Sequence, residues 1–167
     1  MPKMKDVERS AKTGFIAEIE ALGFEKKFSF HFFRKRGDIY DIITGEFLTA
    51  DDLFRVFVYC WIPGVNPGVD PKKFPRLTSR AVGGGVGDRG VFPDSSFLWE
   101  IPNVGDIDAA LNGILQNIKS FALPWIEKIS TVEQFVDAVD INVKDRPTWP
   151  SYKDRLLNSY VTYSEWR

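Results

Sequence analysis

Cysteine and histidine are almost absent from this chain of 167 residues, which contains one of each. A single cysteine cannot close an internal disulfide, and one histidine with one cysteine cannot supply a conventional zinc site. The longest apolar run, Val56 to Ile62, is far shorter than the roughly 20 residues of a membrane-spanning helix. The polar start of the chain lacks the apolar stretch of a secretory signal. We therefore expect one cytoplasmic domain over residues 1–167, with no metal, no cofactor and no membrane contact.

A surplus of charge of one sign is also missing, since 22 basic residues face 23 acidic ones and the net charge is -1. This balance argues against nucleic acid as the partner, because such binding depends on neutralising phosphates. The charges are nevertheless segregated: residues 1–36 carry nine basic and five acidic side chains, whereas residues 93–145 carry three and nine. Weak nucleic-acid binding through the basic N-terminal region therefore stays open as an alternative. Its residues are Lys26, Lys27, Arg34, Lys35 and Arg36.

Hydrophobic periodicity predicts the order of helices and strands. Apolar residues recur at helical spacing over residues 5–22, and Gly23 follows as the expected C-cap. Strands are predicted at 28–33, 39–44, 53–62 and 97–101; helices are predicted after Asp106, after Ser130 and over 151–163, with a linker at 140–150. Pro124 should end or kink the helix that follows Asp106. The order predicts an α+β fold, with an N-terminal helix, an antiparallel β-meander of about four strands and C-terminal helices packed on the sheet, ending in a helical extension over 151–167.

The segment 63–93 is rich in proline and glycine and is predicted to be a long loop, either ordered or mobile. Its glycines at Gly85, Gly87 and Gly90 formally match the G-x-G-x-x-G motif, but Val91-Phe92-Pro93 cannot open the helix that a dinucleotide site requires. Successive glycines beside arginines can still form an anion-binding nest. The alternative function is therefore a phosphate-ligand binder or enzyme that uses the loop Gly83–Gly90. The residues of that site would be Arg80, Gly83, Gly84, Gly85, Gly87 and Arg89.

Catalytic chemistry has few candidates. Any scheme based on histidine must use His31, and its only thiol partner would be Cys60, which the apolar pattern places in the core. The acidic pairs Asp51–Asp52 and Asp106/Asp108 suit a turn and a helix start. We therefore predict no catalytic residues.

Aromatic residues are the remaining surplus, and they concentrate on the strands. The expected third strand is apolar on both faces, which indicates either a strand covered on both sides or one that lines a cavity. Aromatics beside an arginine are also typical of buried binding hot spots. Core packing and a binding face are both open for this set of side chains. The set consists of Arg55, Phe57, Tyr59 and Trp61 on the third strand and of His31 and Phe33 on the first.

Several short stretches resemble a bacterial family of small α+β proteins known as a domain of unknown function. The stretches are Leu22-Gly23-Phe24 followed by Lys26 and Lys27, Phe33-Arg34 at the end of an aromatic strand, Phe57-Val58, and Ala122-Leu123-Pro124. The resemblance covers about residues 15–62 and 106–125 and implies the same α+β fold. It implies no catalytic residue and leaves segment 63–93 without a counterpart.

These observations favour a non-enzymatic binding or protein-interaction module. Its partner would be an unidentified protein or small molecule. The chain itself would be a monomer or a weak homo-oligomer.

Overall fold

The structure is a computed structural model that describes residues 2–48, 52–65, 73, 82–86, 99–139 and 141–159. Two helices come first, α1 (Met4–Ala11) and α2 (Phe15–Ala21). Six strands follow: β1 (Glu25–Phe28), β2 (His31–Arg36), β3 (Ile39–Leu48), β4 (Leu53–Trp61), β5 (Val82–Val86) and β6 (Trp99–Glu100). The remaining elements are a 3-10 turn (Val104–Asp106), α3 (Ile107–Asn117), a π turn (Ile118–Ala122), α4 (Leu123–Ile126), α5 (Val132–Ala138), α6 (Ile141–Lys144) and α7 (Trp149–Ser159).

The strands form one antiparallel sheet in the order β1-β2-β3-β4-β5, and β6 pairs with β4 beyond this path. A two-residue turn at Gly37 and Asp38 joins β2 to β3, with Gly37 at φ 59°. The predicted α+β class with an antiparallel sheet is confirmed, and the long strand predicted at 53–62 is β4. The sheet has more strands than the four that the sequence indicates.

The two faces of the sheet carry separate cores, because side chains alternate along each strand. On one face, α1, α2 and α3 cover the first core, to which β4 contributes Val56 and Val58. On the other face, α5 and α7 cover the second core, to which β4 contributes Tyr59 and Trp61. Both apolar faces of β4 are therefore covered, which explains why its sequence shows no polar face.

The N-terminal helix differs from the prediction of one helix over residues 5–22. The chain forms α1 and α2, separated by residues 12–14. The apolar stripe continues across the break, since Val7, Ala11, Phe15 and Ile19 are all buried. The periodicity therefore identified the buried face but not the interruption. The predicted cap is confirmed, because Gly23 adopts φ 88° after α2.

Segment 63–93 also differs from the prediction of a continuous loop. Residues Val82–Val86 form β5, which pairs with β4 from Cys60 to Val56. Glycine is required at Gly83, where φ is 154° and an added Cβ would lie 2.1 Å from the carbonyl oxygen of Val58. The glycine run thus lets the fifth strand approach β4 closely.

Several boundaries differ in smaller ways. The predicted strand 39–44 extends through Gly45 to Leu48, and a Cβ added at Gly45 would lie 2.6 Å from the Phe30 ring. The N-cap of α5 is Thr131 and not Ser130, since the Thr131 hydroxyl accepts a hydrogen bond from the backbone N–H of Gln134 at 3.1 Å. Part of the predicted linker at 140–150 is the single helical turn α6. The last predicted helix corresponds to α7, and residues 160–167 lie outside the described part of the chain.

Pro124 interrupts the regular α-helix without ending the helical path. Proline lacks an N–H donor, and in a regular helix its ring clashes with the carbonyl four residues earlier. The wider π turn directly before Leu123 accommodates this, and the chain continues as α4 to Ile126. Among the described residues, no helix has both the length and the apolar character needed to cross a bilayer.

Candidate functional site

A groove of about 510 Å³ lies between the α1–α2 junction and α3. Its volume falls within the range of roughly 300–1,000 Å³ that is typical of ligand sites. The lining residues are Ser10, Thr13, Gly14, Phe15, Glu18, Asp108, Leu111, Asn112, Leu115, Gln116 and Lys119.

The break between α1 and α2 creates the open middle of this groove. The Thr13 hydroxyl donates to the carbonyl oxygen of Ser10 at 2.7 Å and so satisfies a carbonyl at the end of α1. Gly14 is exposed, and a Cβ added there would meet no atom within 4 Å. A continuous helix with side chains at these positions would occupy the space that the break leaves free.

Two polar cross-links close the ends of the groove. At one end the Ser10 hydroxyl donates a hydrogen bond to the Asp108 carboxylate. At the other end the Lys119 ammonium donates to the Glu18 carboxylate. Asp108 and Lys119 lie eleven residues apart, which corresponds to about 16 Å along a helix. These contacts hold α3 against the α1–α2 pair while leaving the middle open.

The middle of the groove has an apolar floor and two primary amides. Phe15, Leu111 and Leu115 are buried beneath it. Asn112 and Gln116 are exposed one helical turn apart, and neither side-chain amide forms a hydrogen bond to another described residue. A primary amide can both donate and accept. The groove can therefore hold a polar ligand through both kinds of hydrogen bond.

The sequence alone did not predict this groove. The available signal was the polar series Asp108, Asn112 and Gln116 at steps of four within a helix whose other residues are mostly apolar. Such a series is also the ordinary outer face of an amphipathic helix. The α1–α2 pair gives this series a facing wall and the break at residues 12–14 leaves the space between them open. Hydrophobic periodicity carries no record of that break.

The structure places the predicted aromatic residues mainly in the second core. Trp61 is fully buried, Tyr59 is 4% exposed and Phe33 is 8% exposed. Burial also raises the pKa of the Tyr59 hydroxyl, so it stays protonated. These three residues therefore present no surface to a partner in this conformation, and the core interpretation applies to them.

Arg55 and His31 lie further along the same face of the sheet and are only half-buried. Arg55 pairs with Glu46 across the strands, and its guanidinium lies 5.6 Å from the centre of the Phe57 ring. His31 stacks on Phe28 at 4.5 Å between ring centres. The predicted binding face thus divides into a covered aromatic part and this partly exposed end.

The predicted anion-binding loop is not brought together as a nest among the described residues. Gly83, Gly84 and Gly85 lie in β5 and are paired with Tyr59, Val58 and Phe57. Extended strand geometry differs from the turn conformation that aims successive N–H groups at an anion. The other residues of that prediction, Arg80, Gly87 and Arg89, lie outside the described part of the chain.

A buried ion cluster occupies the end of the sheet near α2 and α4. The Asp41 carboxylate is fully buried and accepts hydrogen bonds from Arg34 at 2.7 Å and from Arg36 at 2.6 Å. Arg34 also donates to the carbonyl of Leu22, and Arg36 donates to the carbonyls of Ile126 and Ile129. Burial lowers the pKa of Arg36, but the hydrogen bond and the charge of Asp41 raise it above its ordinary value overall. This cluster joins both helical segments to the sheet.

The ion cluster takes up two of the five basic residues that were predicted as a nucleic-acid-binding surface. Arg34 and Arg36 are engaged with Asp41, whereas Lys26 is exposed. Phosphate neutralisation needs free cations, so the surface contributed by this region is smaller than its sequence indicates.

Cys60 lies opposite Asp41 in the β3–β4 register and is buried. Burial, together with the nearby Asp41 charge, raises the pKa of its thiol to about 12. A thiol in this state is not a nucleophile near neutral pH. Across the described residues there is no group of three or more side chains able to hold a metal ion.

The raised pKa of Cys60 predicts a loss of stability at high pH. The unfolded thiol ionises near pH 9 and the folded one near 12, so the unfolded state loses its proton first as the pH rises. Between pH 8 and pH 10 we expect Cys60→Ala to lose about 1 kcal/mol less unfolding free energy than the unaltered protein. Urea unfolding at both pH values measures this. Equal losses in the two proteins would contradict the burial of the thiol.

No protein-family model, no curated protein and no solved structure matches the chain. The resemblance to a bacterial family therefore stays a prediction. The groove itself is the basis on which a function can be assigned.

Proposed function

We propose that the protein is a non-enzymatic binding module whose ligand occupies the groove between α1–α2 and α3. The observation that carries this proposal is the pair of exposed amides, Asn112 and Gln116, above a buried apolar floor. Exposed hydrogen-bonding groups that converge on a concave surface are the usual way in which a site orients its ligand.

The composition of the groove favours binding over catalysis. His31 and Cys60 do not line it. Asp108 and Glu18 are each engaged in a cross-link between helices. The remaining groups supply hydrogen bonds and shape. We also propose a cytoplasmic location, because a lone buried thiol suits a compartment in which cysteines stay reduced.

Filling the groove should abolish binding. Leu in place of Gly14 would project into the open space without the strain of a left-handed backbone, since φ at Gly14 is -173°. We expect small polar compounds and short peptides, screened by two-dimensional NMR, to shift the side-chain NH₂ signals of Asn112 and Gln116 in the unaltered protein. The same compounds should leave those signals unmoved in Gly14→Leu.

The control is Gly105→Leu, because a Cβ added at Gly105 would also meet no atom within 4 Å, yet Gly105 does not line the groove. It should bind like the unaltered protein. Circular dichroism verifies that both variants fold. This matters most for Gly14→Leu, because Gly14 is the N-cap of α2 and leucine there lowers the unfolding free energy by about 1 kcal/mol. Compounds that bind without shifting either amide, or that bind Gly14→Leu equally well, would refute the groove as the site.

A further inference from the structure

We infer that the ligand of this groove is an extended peptide segment with a basic side chain placed at the Asp108 end. This inference rests on the proposed function and adds the chemical class of the ligand. It follows from three properties of the groove: the spacing of its amides, its length and its charge.

The spacing of the two amides matches the repeat of an extended backbone. Asn112 and Gln116 are four residues apart on α3, a separation at which Cβ atoms lie about 5–6 Å apart. In an extended chain, residues that face the same side recur every two positions, or about 6.5 Å. Each such residue presents one N–H donor and one C=O acceptor. A primary amide offers the complementary acceptor and donor, so two successive backbone units can pair with the two side chains.

The length of the groove corresponds to a short peptide. The cross-links at Asp108 and Lys119 are about 16 Å apart along the helix. An extended chain covers about 3.3 Å per residue, so about five residues span this distance. The open middle opposite Gly14 lies between the two cross-links, where the peptide backbone would pass.

The charge of the groove is uneven. Lys119 and Glu18 offset each other at one end, since they form an ion pair. At the other end the side-chain partner of Asp108 is the uncharged hydroxyl of Ser10, and the N-terminal end of α3 offsets only part of its charge, so a net negative charge stays there. No basic residue lines that end among the described residues. A lysine or arginine of the peptide would complement this charge.

Defined peptide pools test the inference. Pentapeptides are acetylated and amidated, with arginine, alanine or glutamate fixed at either end and mixed residues elsewhere. Binding is followed through the NH₂ signals of Asn112 and Gln116. We expect arginine pools to bind about tenfold more tightly than glutamate pools, because the replacement exchanges attraction for repulsion. Pools with N-methylated backbones should show no binding, since they lack the N–H donors.

Variants assign the recognition to individual side chains. Asn112→Leu and Gln116→Leu should each weaken all pools by about three- to tenfold, the loss expected for one or two hydrogen bonds. Asn158→Leu is the matched control, because Asn158 is exposed on α7 outside the groove and should change nothing. Asp108→Asn should remove the preference for arginine pools over glutamate pools.

The possible results separate the two proposals. If no peptide pool binds while small compounds still shift both amides, the peptide inference is overturned and the groove stays a binding site. Equal affinity for arginine and glutamate pools, or full affinity of N-methylated pools, also overturns the inference. If neither peptides nor small compounds shift the amides, both proposals fail.

Discussion

Replacing Trp61 by alanine is expected to lower the unfolding free energy by about 3–5 kcal/mol, the range measured for large aromatic side chains in cores. Trp61 is fully buried and belongs to the second core together with Phe135 and Val136 of α5. Its loss removes apolar contact and leaves a cavity that the strand and the helix cannot close. For a chain of this size the melting temperature should fall by about 10 °C.

Phe57→Ala is the matched control, because Phe57 lies on the same strand and the same face but is only partly buried. Its loss should cost about 1–2 kcal/mol, in proportion to the smaller area removed from water. Urea unfolding followed by circular dichroism measures both variants. A loss below about 1.5 kcal/mol for Trp61→Ala, with the fold retained, would contradict the covered face and restore the interpretation of Trp61 as a binding residue.

The variant Asp41→Asn should lose about 3 kcal/mol of unfolding free energy. The change is nearly isosteric and removes the buried charge that Arg34 and Arg36 share, so that only Arg34 keeps an ion pair, with the more exposed Glu127. Breaking a buried pair in this way typically costs about 3–5 kcal/mol. The lower end applies because the side chains of Arg34 and Arg36 keep 16% and 21% of their exposure to water. The NH₂ group of the new asparagine would also face the N–H donors of Arg34 and Arg36, to which it cannot form hydrogen bonds.

Asp38→Asn makes the same chemical change at the partly exposed turn between β2 and β3. We expect it to alter stability by less than about 0.5 kcal/mol. Chemical denaturation of both variants at pH 7 provides the comparison. If Asp41→Asn lost no more than Asp38→Asn, the ion cluster would not hold α2 and α4 to the sheet.

The sequence predicted the architecture better than the site. Apolar residues along β3 and β4 identified two central strands, because most side chains on both faces of these strands are buried. The same pattern could not distinguish a core from a partner surface, since aromatic residues suit both. The helices α5 and α7, far along the chain, decide this by covering Tyr59 and Trp61.

For the glycine run Gly83–Gly85, the prediction from the sequence was wrong. A loop is the natural prediction for Gly83, Gly84 and Gly85, because glycine is the residue most often used at turns. In the structure they form a strand whose partner, β4, excludes a Cβ at Gly83. The tertiary structure decides how closely β4 approaches β5, and amino-acid composition does not show this distance.

The scarcity of cysteine and histidine by itself left thiol-based, imidazole-based and zinc chemistry few residues to use. The amphipathic patterns likewise determined the α+β class, because burying apolar side chains is a local requirement of each helix and strand. The groove depended on the tertiary structure. Its walls come from residues 10–18 and 108–119, which only packing of α3 against the α1–α2 break brings together.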